Sequence, residues 1–484
     1  MPLPGPHAQA IALNRFGLGA RADEAPPANP RAWLLAQIDA FDPRPEPFSA
    51  LPAPGRLARE YFQEVGELIR KMGAAPTPPG LPMASTPEET QAKMERQQRR
   101  QALAVEVRDT YRLAVNARVQ SALTTRTPFA ERLASFWSNH FALSIEKPQV
   151  GIYAADFELN AIRPHIMGKF EDLLVAVEQH PAMLYYLDQF RSVGPNSAFG
   201  LRASLRRPDR KIGLNENLAR EIMELHTLGV RTGYSQNDVV EFARALTGWS
   251  VGGLGPMAAN DDVDVGAYLF RPAVHEPGDR VIMGRRYGAA GEAQARAVLH
   301  DLAQSPATAK HISTKLARHF ISDNPPPGLV ARMSEAFLSS QGHLPDLYRV
   351  LVDAPEAWAA AETKFKTPWD WTVSALRALG RRDLGKMDAA PLLTQLGQPT
   401  WRPGSPAGYD DLSASWAAPD ALMRRVELAQ RLAASAGGEL DARELAPKLL
   451  PGRVSPATAT ALSQAESGAT ALALLLVSPE FQRR

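Results

Sequence analysis

The sequence predicts a mainly α-helical protein, with many helices in a single compact body over residues 1–484 and one small β-hairpin. Three observations carry that expectation. Proline recurs at the start of apolar-periodic segments, in Ser305-Pro306, Ala354-Pro355, Thr367-Pro368, Ser455-Pro456 and Ser478-Pro479. At the first helical position proline's missing N–H costs nothing and its fixed φ suits the helix, so each pair reads as a helix start. Long stretches carry apolar residues at helical period, the clearest ending in glycine at 229. Strand signal is confined to 268–270 and 280–283, which flank Pro272, Pro277 and Gly278 and read as the two arms of one hairpin.

Taken in order, residues 8–18 are apolar and end at Gly17-Leu18-Gly19-Ala20, a turn rather than a nucleotide-binding loop, since no strand precedes it. Residues 30–41 form a short amphipathic helix. Prolines and a glycine (Pro76, Pro78, Pro79, Gly80, Pro82) make 73–87 an excursion. Thr86-Pro87-Glu88-Glu89 then opens a long helix reaching about Leu123. Its run Arg96 to Arg100 reads as a solvated face rather than a phosphate contact. Helices follow over 128–140, 168–179 and 181–190, the last two split at His180-Pro181. A basic loop at about 192–211, continuing to Ile212, carries Arg202, Arg206, Arg207, Arg210 and Lys211. Ser235 and Asp238 form a capping box before a helix over 239–247 that stops at Gly248-Trp249. The proline- and aromatic-rich segment 397–409 is a rigid loop between helical halves.

Composition narrows the chemistry. The intervals between proline starts vary too widely for a repeat architecture. With 45% hydrophobic and 22% charged residues and a net charge of +2, the chain reads as an ordinary soluble protein with no dominant nucleic-acid or membrane-surface partner. Zero cysteines remove disulfides, thiolate zinc sites, iron–sulfur clusters and cysteine nucleophiles. The apolar run 469–477 is far short of the ~20 residues that span a bilayer. The N-terminus shows no signal peptide, which reads as cytoplasmic, with the periplasm open. Gly-x-Ser-x-Gly, His-Glu-x-x-His and Walker A patterns are absent from the sequence.

One stretch, 215–229, organises the rest. On a helical wheel Glu216, Asn217, Arg220, Glu221 and Glu224 fall in a sector of roughly 140°. Such a face is either solvated and laced with i,i+4 pairs or a site. As a site, Arg220 would clamp an anionic group while Glu221 and Glu224 act as acid–base groups or bind a hard metal. Imidazole and carboxylate donors at His140, Glu221, Glu224, His226 and His275 leave the metal and cofactor unknown. His226 falls opposite the carboxylates and reads as a buried histidine. Asn139 and His140 read as caps of their own helix end. Trp249, Trp401 and Tyr409 are candidates for cleft walls, or for core packing. Arg220 is expected to hold Glu216 and Glu224 in an ion-pair network beneath the surface, with the loop 192–211 as a lid over it.

Four segments carry a resemblance: Phe136-Trp137-Ser138-Asn139-His140-Phe141, the stretch from Asn215 to Val230, Glu241 to Trp249, and Phe270 to Gly278. They resemble the signature segments of DUF1800, a bacterial family of unknown function, over nearly the whole chain from Ala8. Many members carry histidine where this chain has Ser138. The motifs add Asn139, His140, Asn217, His226, Arg244, Trp249 and His275 as candidate ligand-binding residues, beside Arg220, Glu221 and Glu224 as candidate catalytic ones. The resemblance also implies a possible partner, because family genes often neighbour those of DUF1501, a sulfatase- and phosphatase-like family. Two functions follow as expectations: an enzyme or ligand-binding protein for a polar or anionic ligand, or a non-catalytic helical scaffold for such a partner.

Overall fold

A computed structural model describes residues 5–72, 87–206, 213–253, 261–359, 364–436 and 440–484. The excursion 73–86, and Arg207, Arg210 and Lys211 of the basic loop, lie outside the described residues. Among the described residues twenty-one α-helices pack round one contiguous hydrophobic core that runs from Ile11 to Phe481. The proline starts hold at Pro306–Phe320, Pro368–Ala378 and Pro456–Ser463, where Ser305, Thr367 and Ser455 accept N–H groups of the first turn. Pro355 opens only a 3-10 turn, Pro355–Trp358. Ser478-Pro479 opens only a turn before the C-terminus: the Ser478 hydroxyl donates to the Leu475 carbonyl at 2.8 Å and accepts the Phe481 N–H at 3.3 Å, but no helix follows.

The β-structure departs from expectation. The two predicted arms do not pair with each other. Tyr268–Phe270 pairs antiparallel with the wholly buried Trp249–Val251, and Arg280–Ile282 pairs with Arg285–Tyr287. The second pair turns on Met283 and Gly284, both at positive φ (49° and 78°), the conformation a two-residue hairpin needs. A 3-10 turn at Pro272–Val274 separates the two sheets.

The helices that matter for a site converge from distant parts of the chain. The long helix Pro87–Thr124 crosses Pro148–Asp156, Pro368–Ala378 and Ala389–Gln395. Pro306–Phe320 packs along Pro327–Ser339, and that along Leu344–Asp353. Three helices widen into π turns, at Ile11–Phe16, Phe157–Ile162 and Ile222–His226. A π turn inserts a residue and re-aims the side chains around it, and here each turn buries a polar one: Arg15, Glu158 and His226.

Glu158 anchors the most extensive of these polar groups. It accepts both contacts from Arg118 Nε (3.1 and 2.9 Å), the Ser138 hydroxyl (3.0 Å) and the Trp401 indole (3.2 Å). Arg163, 3.8 Å from Glu158, holds Glu131 through both of its terminal nitrogens at 2.8 and 2.9 Å. Its guanidinium also lies 5.1 Å from the Phe41 ring centroid. Every charge in this group is at least nine-tenths buried. Breaking one partner of such a pair strands the other charge in a low-dielectric interior. Arg163→Met should therefore cost about 3–5 kcal/mol in urea titration; a loss below about 1 kcal/mol would refute the anchoring role.

Candidate functional site

The C-terminal end of the 128–140 helix is where the chain's distant pieces meet. Ser135, Ser138 and Asn139 from that end, Arg118 from the long helix, His319 from the end of 306–320 and Thr367 to Asp370 at the start of 368–378 face the aromatic loop 397–411. They enclose a cavity of about 80 Å³ walled by Trp369, Trp401 and Tyr409.

The loop is clamped shut on this end. Asn139 donates to the Tyr409 carbonyl at 2.8 Å and accepts from the Tyr409 N–H at 2.7 Å. Gly408 stands at φ +82°, and a Cβ there would meet the Asn139 carbonyl oxygen at 2.3 Å, so only glycine permits the clamp. The Tyr409 hydroxyl bonds the carbonyls of Pro399 (2.6 Å) and Arg402 (2.8 Å). Trp401 itself adopts φ +50°, strain for a bulky residue that the Glu158 hydrogen bond helps hold.

Two charged pairs reach the cavity. His319 Nδ1 lies 2.8 Å from Asp411 Oδ1, and the ring's other nitrogen, Nε2, is buried with no hydrogen-bond partner. Burial alone would push the Asp411 carboxyl up, but His319, Lys364 and Lys315 outweigh it and hold it below the usual range. Across the cavity Arg132 Nη1 sits 3.2 Å from Asp370 Oδ1 while its Nε donates to the Gly17 carbonyl at 2.8 Å. The other oxygen of Asp370, Oδ2, faces Arg484 Nε at 3.4 Å, so this carboxylate is shared between two buried guanidinium groups. Behind them burial lowers the Lys366 ammonium to about 7, and Lys366 meets the Ser374 hydroxyl at 3.2 Å. Chemically this is an oriented imidazole with one nitrogen free of a hydrogen bond, sharing the cavity with a buried guanidinium–carboxylate pair. It can exchange a proton with a bound group and neutralise negative charge beside it.

The residues that the sequence singled out are mostly elsewhere. The organising helix is Asn217–Glu221 followed by the π turn, and Gly229 closes it at φ +93°. Arg220 does bind Glu216 (2.9 Å) and approaches Glu224 (3.7 Å), but their side chains are 34, 35 and 26% exposed, so the network expected beneath the surface lies in it. The reason is the next helix: Gln236 joins Glu216 and Arg220 at 2.7 and 3.0 Å, and this bridge lies over the core instead of inside it. Glu221 is half-buried, which raises its pKa. Asn217 is exposed. Arg244 pairs with Glu241 on its own helix, Trp249 is core packing edge-on to Tyr268 at 5.8 Å, and His275 bonds the Thr247 carbonyl at 2.7 Å. Within the basic loop, Ala198–Arg206 is a helix, where the sequence suggested none, and Asn196 ties the segment to Glu276.

His140 and His226 form a second, fully buried group. His226 Nδ1 meets Glu178 Oε1 at 2.7 Å, and His140 Nε2 meets the His226 carbonyl at 3.2 Å. Asn139 and His140 thus bond other segments, instead of capping their own helix as expected. His311 bonds the Leu225 carbonyl at 3.0 Å, its ring centroid 6.1 Å from that of His140. Among the described residues no three histidine, aspartate or glutamate side chains are grouped to hold a metal ion. Of the residues chosen from sequence, Asn139, Trp401 and Tyr409 line the cavity; His319, Asp411, Arg132 and Asp370 were missed.

The buried histidines have a pH signature. Burial lowers His140 well below its usual 6.5 and His311 to about 4, with Lys315 adding to both shifts. The unfolded chain then binds these protons more readily than the fold, so their contribution is complete above pH 6.5 and is lost as pH falls towards 4. Urea midpoints should fall across that window, and His311→Gln should flatten part of the slope; an unchanged slope would refute His311's share.

Known proteins give this geometry a family and nothing more specific. No curated protein and no solved structure matches the chain. One family model does match, over residues 11–483, described as a protein of unknown function, and by that match the chain belongs to the DUF1800 family.

Proposed function

We propose that this chain is an enzyme or ligand-binding protein for a small polar ligand carrying negative charge, seated in the cavity beneath the aromatic loop. The observation that carries the reading is His319: one ring nitrogen is held by Asp411 at 2.8 Å and the other is buried, unpartnered and at the cavity. Asp411 fixes the tautomer with the proton on Nδ1, which leaves Nε2 as the basic lone pair. A ligand O–H or a bound water is the group it would deprotonate, and Asp411 stabilises the imidazolium that results. Arg132, ion-paired with Asp370 at 3.2 Å, is the cation beside the cavity that would offset an anionic group of the ligand. At about 80 Å³ the cavity suits a small group such as a carboxylate.

Long-range ¹H–¹⁵N spectra of the histidine rings test this directly. His319 should show an unprotonated Nε2 whose shift moves on adding acetate or lactate, and the movement should vanish in Arg132→Gln. An Nε2–H tautomer, or no response to either carboxylate, would overturn the assignment.

A second reading, a scaffold for a sulfatase- or phosphatase-like partner, is favoured by one observation. The Glu216–Arg220–Glu224 face stands about one-third exposed, with more carboxylates than guanidinium groups. If that face is a docking surface rather than a folded site, Arg220→Met costs below about 1 kcal/mol, as exposed pairs do. A denaturant titration giving 3 kcal/mol or more would count against it.

A further inference from the structure

A groove runs between the helices Pro54–Met72 and Pro87–Thr124, on the far side of the aromatic loop from the cavity. Its volume is about 540 Å³, within the range of small-molecule sites. The floor is apolar: Tyr61, Leu103, Val107 and Ile145. Gly151 completes it. A Cβ at that helical glycine would already touch Val107 Cγ1 at 3.4 Å and Ile145 Cβ at 4.0 Å, so a longer side chain there would crowd the groove's floor.

The rim is cationic. Arg100, Arg108 and Arg402 line it against a single carboxylate, Glu64. Glu64 is already taken: it is nine-tenths buried and paired with Arg99 at 3.3 Å, with Arg100 at 3.8 Å. Among the described residues Arg108 has only its chain neighbour Asp109, at 3.3 Å, and Arg402 reaches Glu146 at 3.7 Å, beyond hydrogen-bond distance. Both guanidiniums are more than half exposed, and the terminal N–H groups of Arg108 stay available beside its Nε contact to Asp109. An apolar trough under unspent guanidiniums is complementary to an apolar body with an anionic head.

We propose that this groove binds a single-chain amphiphile with an anionic head, a long-chain carboxylate, with the chain on Leu103, Val107 and Gly151 and the head at Arg108 and Arg402. The site does not depend on the reading of His319. Burying one methylene is worth about 0.8 kcal/mol, or close to a fourfold change in affinity.

Calorimetric titration with octanoate, decanoate and dodecanoate below their micellar concentrations tests the trough. Affinity should rise about three- to fourfold per added methylene. Gly151→Leu and, at an exposed position, Ala104→Trp should each weaken dodecanoate at least tenfold with unchanged circular dichroism. The second variant keeps the test sound if the first disturbs its helix. Dodecanol should bind several-fold more weakly than dodecanoate, and Arg108→Ala/Arg402→Ala should erase that difference. His319→Gln should leave binding unchanged, which separates failure here from failure of the cavity. Absence of saturable dodecanoate binding, equal affinity in both groove-filling variants, or no preference over the alcohol would overturn the proposal.

Discussion

The Glu158 carboxylate is the constraint on which the candidate cavity depends. It is 1% exposed, and an isolated ion at that depth would cost many kcal/mol. It is tolerated because Arg118, Ser138 and Trp401 all donate to it. Those donors come from the long helix, the 128–140 helix and the aromatic loop, so satisfying one charge fixes three walls relative to one another. Arg118 is then held between Trp369 and Trp401, its guanidinium 4.3 and 5.8 Å from their centroids. Bound on Glu158 and stacked on two indoles, it is a structural cation. Arg132, paired with Asp370 at 3.2 Å, is the second cation at the cavity.

The π turns explain how so much polarity is carried by apolar helices. An unbroken α-helix would keep a strict stripe facing the core. Widening at Phe157–Ile162 lets Glu158 enter beside apolar Ala161 and Ile162, and widening at Ile222–His226 buries His226 while Glu224 of the same turn stays part-exposed. Family resemblance fits this arrangement at one departure. Ser138 stands where the resemblance leads us to expect histidine, and here its hydroxyl supplies a short, uncharged donor to Glu158 at 3.0 Å.

Sequence disclosed the helices because their signals are local: the bounds 128–140 and the Ser235–Asp238 capping box are as predicted. It failed on strand pairing, since nothing local says that Tyr268–Phe270 will choose Trp249–Val251 over the nearer Arg280–Ile282. The π turns were equally silent, and with them the depth of the organising helix. For the cavity, half of the walls were legible as the rigid aromatic loop and the Asn139 motif. The His319–Asp411 pair was not, because its members are 92 residues apart and neither sits in a pattern that marks it. The only available hint was Tyr409-Asp410-Asp411, carboxylates directly after a loop already expected to be rigid.

That rigid loop also joins the two regions for which chemistry is argued. Trp401 walls the His319 cavity, and the adjacent Arg402 lies on the rim of the apolar groove. Between them the chain has little freedom: Ile145 N–H bonds the Trp401 carbonyl at 2.9 Å, and Tyr409 holds the Arg402 carbonyl at 2.8 Å. Ile145 is itself a floor residue of the groove. A displacement of Ile145 or Arg402 would therefore act on the backbone beside Trp401, whose left-handed conformation already stores strain. The Glu158 hydrogen bond resists that displacement. Trp401 thus joins a wall of the cavity to the backbone beside the groove, its left-handed conformation held by the bond to Glu158.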